Sequence, residues 1–160
     1  MNTDEILRVE KSAGARPKSP ATLSRRILVV EDDQVIRRFN ADALIGFGYT
    51  VDVAEDGADA WDTLQINRYD LMVTDNSMPK VSGVELMGML HGARMVLLVI
   101  FATGTVPDFT QYPWPRPAAT LLKPYTVEEL LTTVVKVLGA SEIALVEAVE
   151  LAPPVSPAHG

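Results

Sequence analysis

Residues 71–79 read Leu71-Met72-Val73-Thr74-Asp75-Asn76-Ser77-Met78-Pro79. A largely apolar run leads straight into an aspartate, and a proline follows after a short turn. A short apolar run with a turn behind it is typical of a strand buried in a parallel sheet. In an open α/β sheet the chemistry collects beyond the carboxyl ends of such strands. We therefore expect Asp75 to point into a crevice at that end of the sheet.

Length and composition limit the kind of protein this is. The chain has 160 residues, 48% of them hydrophobic, which fits one globular domain with tails. No apolar run reaches the roughly 20 residues of a membrane span, and the N-terminus lacks a signal-peptide centre, so we expect no membrane association and a cytoplasmic location. A net charge of −7 disfavours nucleic acid as a partner. The absence of cysteine excludes disulfides and thiol chemistry.

Strand and helix patterns alternate along the chain. The predicted strands are 27–30, 49–54, 71–74, 95–101 and 119–122, and the predicted helices are 34–46, 57–64, 83–91 and 127–138. In the first helix the apolar positions Ile36, Phe39, Ala43 and Phe47 would face the core. The alternation predicts a flavodoxin-like, doubly wound five-stranded parallel sheet in the order 2-1-3-4-5.

The usual fourth helix of such a fold is predicted to be degenerate or missing. Four prolines interrupt residues 105–117, and each proline inside a helix costs about 3 kcal/mol. The aromatic residues Phe109, Tyr112 and Trp114 give this loop apolar anchors. We hypothesise that the resting loop is mobile and becomes ordered when the site at Asp75 is modified.

The predicted domain covers residues 25–139. Residues 1–24 mix charges with glycine, proline and serine, which predicts a disordered arm. A capping box of Thr126 and Glu129 starts the last helix, and Gly139 is predicted to stop it. Residues 140–160 form an extension, with a short helix at 141–151 followed by a disordered tail. That helix is either a loosely packed extension or a partner-binding element.

Acidic residues follow two strands that the predicted order makes neighbours. Glu31 and Asp32 end the first strand and Asp75 ends the third, so their carboxylates would lie side by side. Each close pair costs on the order of 4 kcal/mol at surface-like dielectric, so the cluster requires a cation, and oxygen ligands select Mg²⁺ or Mn²⁺. Thr103 and Lys123 end the fourth and fifth strands. Together these groups indicate phosphoryl transfer with an aspartate nucleophile.

These motifs resemble the receiver domain of two-component response regulators. The resemblance runs from Arg25 to Gly139 and rests on residues 27–33, 44–54, 57, 60, 75–79, 83–86, 103 and 123–124. It implies that Asp75 accepts phosphate from a phosphohistidine of a sensor histidine kinase or phosphotransfer protein. It further implies that Asp32, Asp75 and the backbone carbonyl of Ser77 ligate Mg²⁺ directly, with Glu31 acting through water. Asp33 would cap the first helix instead of binding the metal.

Two features distinguish the chain within that family. Thr120 occupies the position three residues before Lys123 where the family usually has an aromatic residue. Phe101-Ala102-Thr103-Gly104 resembles the signature of the FATGUY group of single-domain regulators, which implies an α-proteobacterial phosphorelay with HWE-type kinases and a role in stress responses. Because only a short remainder follows Gly139, we expect a stand-alone receiver that signals through an unknown downstream protein partner.

Three alternatives use similar residues or topology. An inactive receiver could serve as a docking module, although the acid, threonine and lysine set is complete. A haloacid-dehalogenase-like phosphatase would carry a second aspartate two positions after the nucleophile, where Ser77 stands. A flavin-binding domain would need a phosphate-binding loop after the first strand, and none is present. We therefore expect a phospho-accepting signalling domain and not an enzyme acting on a separate substrate.

Overall fold

The computed structural model describes residues 25–151, apart from the side chains of 142–146, 148, 149 and 151. The predicted arm 1–24 and the end of the predicted tail lie outside the described residues. The strands are β1 (Arg26–Val30), β2 (Thr50–Ala54), β3 (Leu71–Thr74), β4 (Leu98–Thr103) and β5 (Ala119–Leu122). The α-helices are α1 (Gln34–Phe47), α2 (Gly57–Ile66), α3 (Gly83–Gly92) and α4 (Val127–Leu151), with a 3₁₀ turn at Phe109–Gln111.

The five strands form one parallel sheet in the order β2-β1-β3-β4-β5, which confirms the predicted topology. In the centre of the sheet Val30 pairs with Thr74, and Thr74 pairs with Phe101. The carboxyl ends of the strands therefore meet at one edge of the sheet. The residues that follow β1 and β3 are brought together at this edge.

Each face of the sheet carries its own hydrophobic layer. Side chains alternate between the faces along each strand, so Ile27 and Val29 lie in one layer while Leu28 and Val30 lie in the other. The first layer is completed by residues of α1 and α4, including Leu44, Leu130 and Val134. The second layer is completed by residues of α2 and α3, including Ala60, Leu64, Leu86 and Leu90. The sheet is thus covered on both sides.

The inward face of α1 agrees with the prediction only in part, because Ala43 and Phe47 pack against the core but other positions are more deeply buried. The helix buries Asn40, Ala41 and Leu44, while Phe39 remains 39% exposed. The pattern of apolar residues did not predict this face because the face contains a polar residue, Asn40. The side-chain oxygen of Asn40 accepts a hydrogen bond from the Tyr125 hydroxyl at 2.9 Å. A buried amide with a partner is compatible with a core position.

Strand β4 begins three residues later than predicted and ends two residues later. Arg94 adopts a left-handed backbone with φ of 55°, and the amide of Met95 still bonds the carbonyl of Leu90. Arg94 and Met95 therefore belong to the turn that ends α3. Val96, which follows them, is fully exposed. Pairing begins only where Leu98 lies opposite Leu71.

Helix α4 continues through Gly139, so the predicted stop at this residue is wrong. The predicted capping box at its start is present, because Thr126 and Glu129 each bond the other's backbone amide. Gly139 does not adopt the left-handed conformation that ends α1 at Gly48, where φ is 117°. One glycine inside a helix costs about 1 kcal/mol relative to alanine, which the helix-favouring residues around it overcome. The predicted separate helix at 141–151 is part of the same helix.

The chain between β4 and β5 forms no α-helix, as the prolines predicted. Its aromatic anchors pack on the second hydrophobic layer. Phe109 contacts Phe101 edge-on with ring centroids 5.1 Å apart, and Tyr112 stacks on Trp114 at 4.8 Å. Within residues 25–151, no helix combines the length and apolarity needed to cross a bilayer.

Candidate functional site

Three carboxylates meet at the carboxyl edge of the sheet, as the strand order predicted. Backbone bonds fix two of them, because the amide of Glu31 bonds the carbonyl of Ala54 and the amide of Asp75 bonds that of Val30. Oxygen atoms of Glu31, Asp32 and Asp75 all lie within 4.8 Å of one another. Glu31 and Asp75 are 2% and 7% exposed, whereas Asp32 is open to solvent.

Lys123 crosses from β5 to this cluster. Its Nζ donates to Glu31 Oε2 at 2.8 Å and to Asp75 Oδ2 at 3.0 Å. The amide of Lys123 also bonds the carbonyl of Thr103, which aligns the end of β5 with the end of β4. Lys123 therefore supplies the positive charge at the position expected from the sequence.

Burial and charge have opposite effects on the pKa of Glu31, and likewise on the pKa of Lys123. Burial raises the pKa of Glu31, and the hydrogen bond from Lys123 offsets this only in part. Burial opposes the ammonium of Lys123, yet its hydrogen bonds to the two carboxylates leave the pKa of Lys123 raised overall. Three carboxylates face one ammonium, so negative charge is in excess and a divalent cation would be favoured.

The two oxygens of Asp75 have different partners. Oδ1 accepts hydrogen bonds from the backbone amides of Asn76 at 2.6 Å and Ser77 at 3.4 Å, and Oδ2 accepts from Lys123. The turn is tied to α3, because Asn76 Oδ1 accepts from the amide of Val84 at 3.1 Å. Gly83 permits this approach, since a Cβ there would collide with the carbonyl oxygen of Asp75.

The acidic residues that follow β1 have different roles. Asp33 caps α1 by accepting from the amides of Val35 and Ile36, which agrees with its predicted role. Among the described residues, nothing donates a hydrogen bond to the Asp32 carboxylate, so this group is available to a cation. Arg37 donates to the carbonyl of Glu31 at 2.8 Å and to that of Asp32 at 3.3 Å. Sequence reasoning missed Arg37, because its partners are backbone atoms that no side-chain motif marks.

A second ion pair, also missed from the sequence, holds the loop after Asp75. Lys80 Nζ bonds Asp56 Oδ2 at 2.8 Å, and the other oxygen of Asp56 caps α2 through the amide of Asp59. Asp56 is 3% exposed, and the hydrogen bond from Lys80 lowers the pKa of its carboxyl group. A Cβ on Gly57 would collide with Val81, so the two loops are in direct contact.

The other two predicted site residues, Thr103 and Ser77, relate differently to the carboxylates. Thr103 ends β4 and is 1% exposed, but its hydroxyl donates to the carbonyl of Thr105 at 3.2 Å. Ser77 lies in the turn after Asp75 and contributes its amide to Oδ1. Thr120, which stands three residues before Lys123 in place of an aromatic residue, is exposed on β5. Tyr125, two residues after Lys123, instead packs inward toward Asn40.

The donor set fits Mg²⁺ or Mn²⁺. Carboxylate oxygens are the ligands that these hard cations prefer, and Asp32 gives the cluster an open side from which water can complete the coordination. This arrangement suits attack by a carboxylate on a phosphoryl group. The lysine ammonium and a bound cation would both neutralise negative charge on the phosphoryl oxygens.

Comparison with known proteins agrees with this geometry. The response regulator receiver domain family matches residues 27–135. The response regulator receiver protein CpdR of Brucella abortus is 35% identical over 122 residues, which cover 73% of this chain and 99% of that protein. The response regulator MprA of Mycobacterium tuberculosis is 35% identical over 111 residues, and the chain spans 48% of its length.

Solved structures give the same result. The chemotaxis response regulator CheY4 of Vibrio cholerae is 25% identical and superposes with a TM-score of 0.63, covering 71% of this chain and 98% of that one. The response regulator TrrA of Thermotoga maritima, solved in complex with Mg²⁺ and BeF, is 30% identical with a TM-score of 0.62 and the same coverage. The similarity in sequence thus extends to the arrangement of the strands that carry the site.

Proposed function

The chain belongs to the response regulator receiver domain family, and we propose that it accepts a phosphoryl group on Asp75 in a Mg²⁺-dependent reaction. Receiver domains are signalling domains that receive phosphate from histidine kinases or phosphotransfer proteins. One observation carries the proposal: Lys123 bonds both Glu31 and Asp75 beside the exposed carboxylate of Asp32. This arrangement combines a nucleophile, a fixed positive charge and the ligands for a cation.

The chemistry follows from the partners of Asp75. A carboxylate oxygen of Asp75 attacks the phosphorus of a phosphohistidine, the P–N bond breaks, and the imidazole nitrogen takes the electron pair, leaving an acyl phosphate on Asp75. Lys123 neutralises charge on the transferred oxygens, to which its Nζ would move from the Asp75 carboxylate. Thr103 would exchange its bond to the Thr105 carbonyl for one to a phosphoryl oxygen.

The residues that would hold Mg²⁺ are Asp32, Asp75 and the backbone carbonyl of Ser77, with Glu31 acting through water. When bound, the cation supplies further charge neutralisation at the phosphoryl oxygens. Arg37 and the Lys80–Asp56 pair support the two loops that present these ligands.

We further propose that the receiver domain acts as a single-domain regulator of the FATGUY type in the cytoplasm. The sequence Phe101-Ala102-Thr103-Gly104 and the missing crossover helix support this assignment. The match that spans nearly all of CpdR supports the single-domain character. The phosphoryl donor would be a sensor histidine kinase, of the HWE type, or a phosphotransfer protein, and the output would pass to a protein partner.

The test is phosphorylation by radiolabelled acetyl phosphate with and without Mg²⁺. The wild-type protein should be labelled only with Mg²⁺, and Asp75→Asn should not be labelled. Asp42→Asn is the matched control, because Asp42 lies on the exposed side of α1 and its side chain is 69% exposed. Labelling of Asp75→Asn at the wild-type level would refute the acceptor assignment. Failure of every form to be labelled would favour an inactive docking module.

A further inference from the structure

The crossover from β4 to β5 leaves a groove where the other crossovers of this fold carry a helix. Parallel strands are normally joined through helices that cover the sheet, but residues 104–118 form a loop with one 3₁₀ turn. A cavity of about 450 Å³ therefore remains between α3, the chain entering β4 and this loop. Its apolar lining includes Met87, Leu90, Met95, Val96, Leu97 and Trp114.

Trp114 forms a preformed wall of the groove. Its ring lies so close to α3 that a Cβ on Gly88 would stand 3.0 Å from it, and Tyr112 stacks on the ring at 4.8 Å. The indole Nε1 of Trp114 is buried and has no hydrogen-bond partner among the described residues. Buried donors normally have an acceptor, so this unpartnered N–H sets Trp114 apart from a ring packed only in the core.

The rim of the groove is basic although the chain is acidic. His91, Arg94 and Arg116 line the groove and no acidic residue does, in a chain whose net charge is −7. The side chain of Arg94 forms no ion pair or hydrogen bond within residues 25–151, and the left-handed backbone at this residue places it in the turn after α3. The pKa of Asp108 is lowered chiefly by hydrogen bonds from Thr110 and Gln111, with a small contribution from the charge of Arg116, which forms no ion pair with Asp108.

We propose that this groove binds an acidic amphipathic helix of a partner protein, which takes the place of the missing crossover helix. Its apolar side chains would pack on Leu90, Val96 and Trp114, and its carboxylates would meet Arg94 and Arg116. An open apolar groove with charges along its rim is the form that helix-in-groove recognition takes. Opposite charges at the rim would set the orientation and select against basic helices.

If the bound helix belongs to the downstream partner, its role in signalling rests on the proposed function. Binding to the groove does not itself require the phosphoryl group, because none of the groove residues belongs to the carboxylate cluster. The two proposals can therefore fail separately.

The probe is a fluorescent helical peptide of about 18 residues, with leucines at i, i+4 and i+7 spacing and glutamates beside them. A twin peptide has lysine at every glutamate position. Wild-type protein should bind the acidic peptide about tenfold or more tightly than the basic twin. Of the two indole N–H signals in the NMR spectrum, only that of Trp114 should shift, because Trp61 lies on α2 outside the groove.

Variants then locate the binding. Val96→Glu adds a negative charge at a fully exposed groove residue and should weaken the acidic peptide, while Ile45→Glu on α1, at a residue 51% exposed, should not. The double variant Arg94→Glu with Arg116→Glu should reverse the preference between the twin peptides. Asp75→Asn should bind like the wild type, whether or not Asp75 is the phosphoacceptor. Equal affinity of the wild-type protein for the twins, or equal effects of the two glutamate substitutions, would overturn the proposal.

Discussion

Replacing Lys123 by methionine removes a positive charge that contacts both buried carboxylates. The lysine Nζ lies 2.8 Å from Glu31 and 3.0 Å from Asp75, and methionine keeps much of its length without the charge. Removing one partner of a fully buried ion pair costs roughly 3–5 kcal/mol. The side chain of Lys123 is 20% exposed and Asp32 opens the cluster to water, so we expect a smaller loss of about 2 kcal/mol in the free energy of unfolding.

The size of this loss should depend on pH in a defined direction. Burial already raises the pKa of Glu31 in the folded state, and losing Lys123 removes the interaction that lowers it. A carboxyl group with a raised folded pKa destabilises the protein above that pKa, and the destabilisation disappears as the pH falls to the unfolded value near 4.5. The difference between the wild type and Lys123→Met should therefore shrink from pH 7 toward pH 4.5.

At high pH the contribution of Lys123 to the free energy of unfolding depends on the pKa of Lys123 itself. The folded-state pKa of Lys123 is raised above 10.5, so its contribution is complete below that pH and is lost as the pH rises through the folded value. Between these limits, Mg²⁺ should restore part of the lost stability by replacing the missing charge.

Urea unfolding followed by circular dichroism measures these effects at pH 7 and pH 5, with and without Mg²⁺. Lys136→Met is the matched control, because Lys136 is exposed on α4 and is not part of the cluster. A loss for Lys123→Met no larger than that of the control, or a loss that is the same at both pH values, would refute the electrostatic account of the cluster.

The remaining predictions concern single members of the site. Asp32→Ala should weaken Mg²⁺ binding in calorimetry far more than Asp33→Ala, which should instead lower stability by about 1 kcal/mol as a lost helix cap; equal effects on Mg²⁺ would mean that the ligands are misassigned. Glu31→Gln should raise the free energy of unfolding at pH 7 without Mg²⁺ and have no such effect below pH 4.5, because the buried carboxylate is destabilising only when ionised; no gain at pH 7 would contradict this. Thr103→Ala should still be labelled by acetyl phosphate, but Mg²⁺ with beryllofluoride should no longer change the fluorescence of Trp114; an unchanged response would place the switch elsewhere.

The parts of the site that follow strand ends could be predicted from the sequence. Asp75 and Lys123 end apolar runs, and the strand order alone brings such positions to one edge of the sheet. Arg37 and Lys80 could not be predicted in the same way. Arg37 bonds backbone carbonyls, and Lys80 meets an aspartate 24 residues away through a loop conformation with φ of 66°.

The errors in the fold have related causes. Periodicity counts apolar residues, so it overlooked Asn40, which is buried because Tyr125 satisfies its side chain. The start of β4 depends on the left-handed turn at Arg94. Because the residue with this conformation is not a glycine, the sequence did not indicate the turn. Gly139 is compatible with both a helix stop and a helix interior, and only its backbone conformation distinguishes them.

The most direct test of the account is to identify the residue that carries the phosphoryl group. Reduction of the phosphorylated protein with borohydride converts an aspartyl phosphate into homoserine, which peptide sequencing by mass spectrometry can locate. The account predicts homoserine at position 75 after incubation with a phosphoryl donor and Mg²⁺, and none when Mg²⁺ is omitted. Homoserine at Asp32 or Asp33, with Asp75 intact, would contradict it.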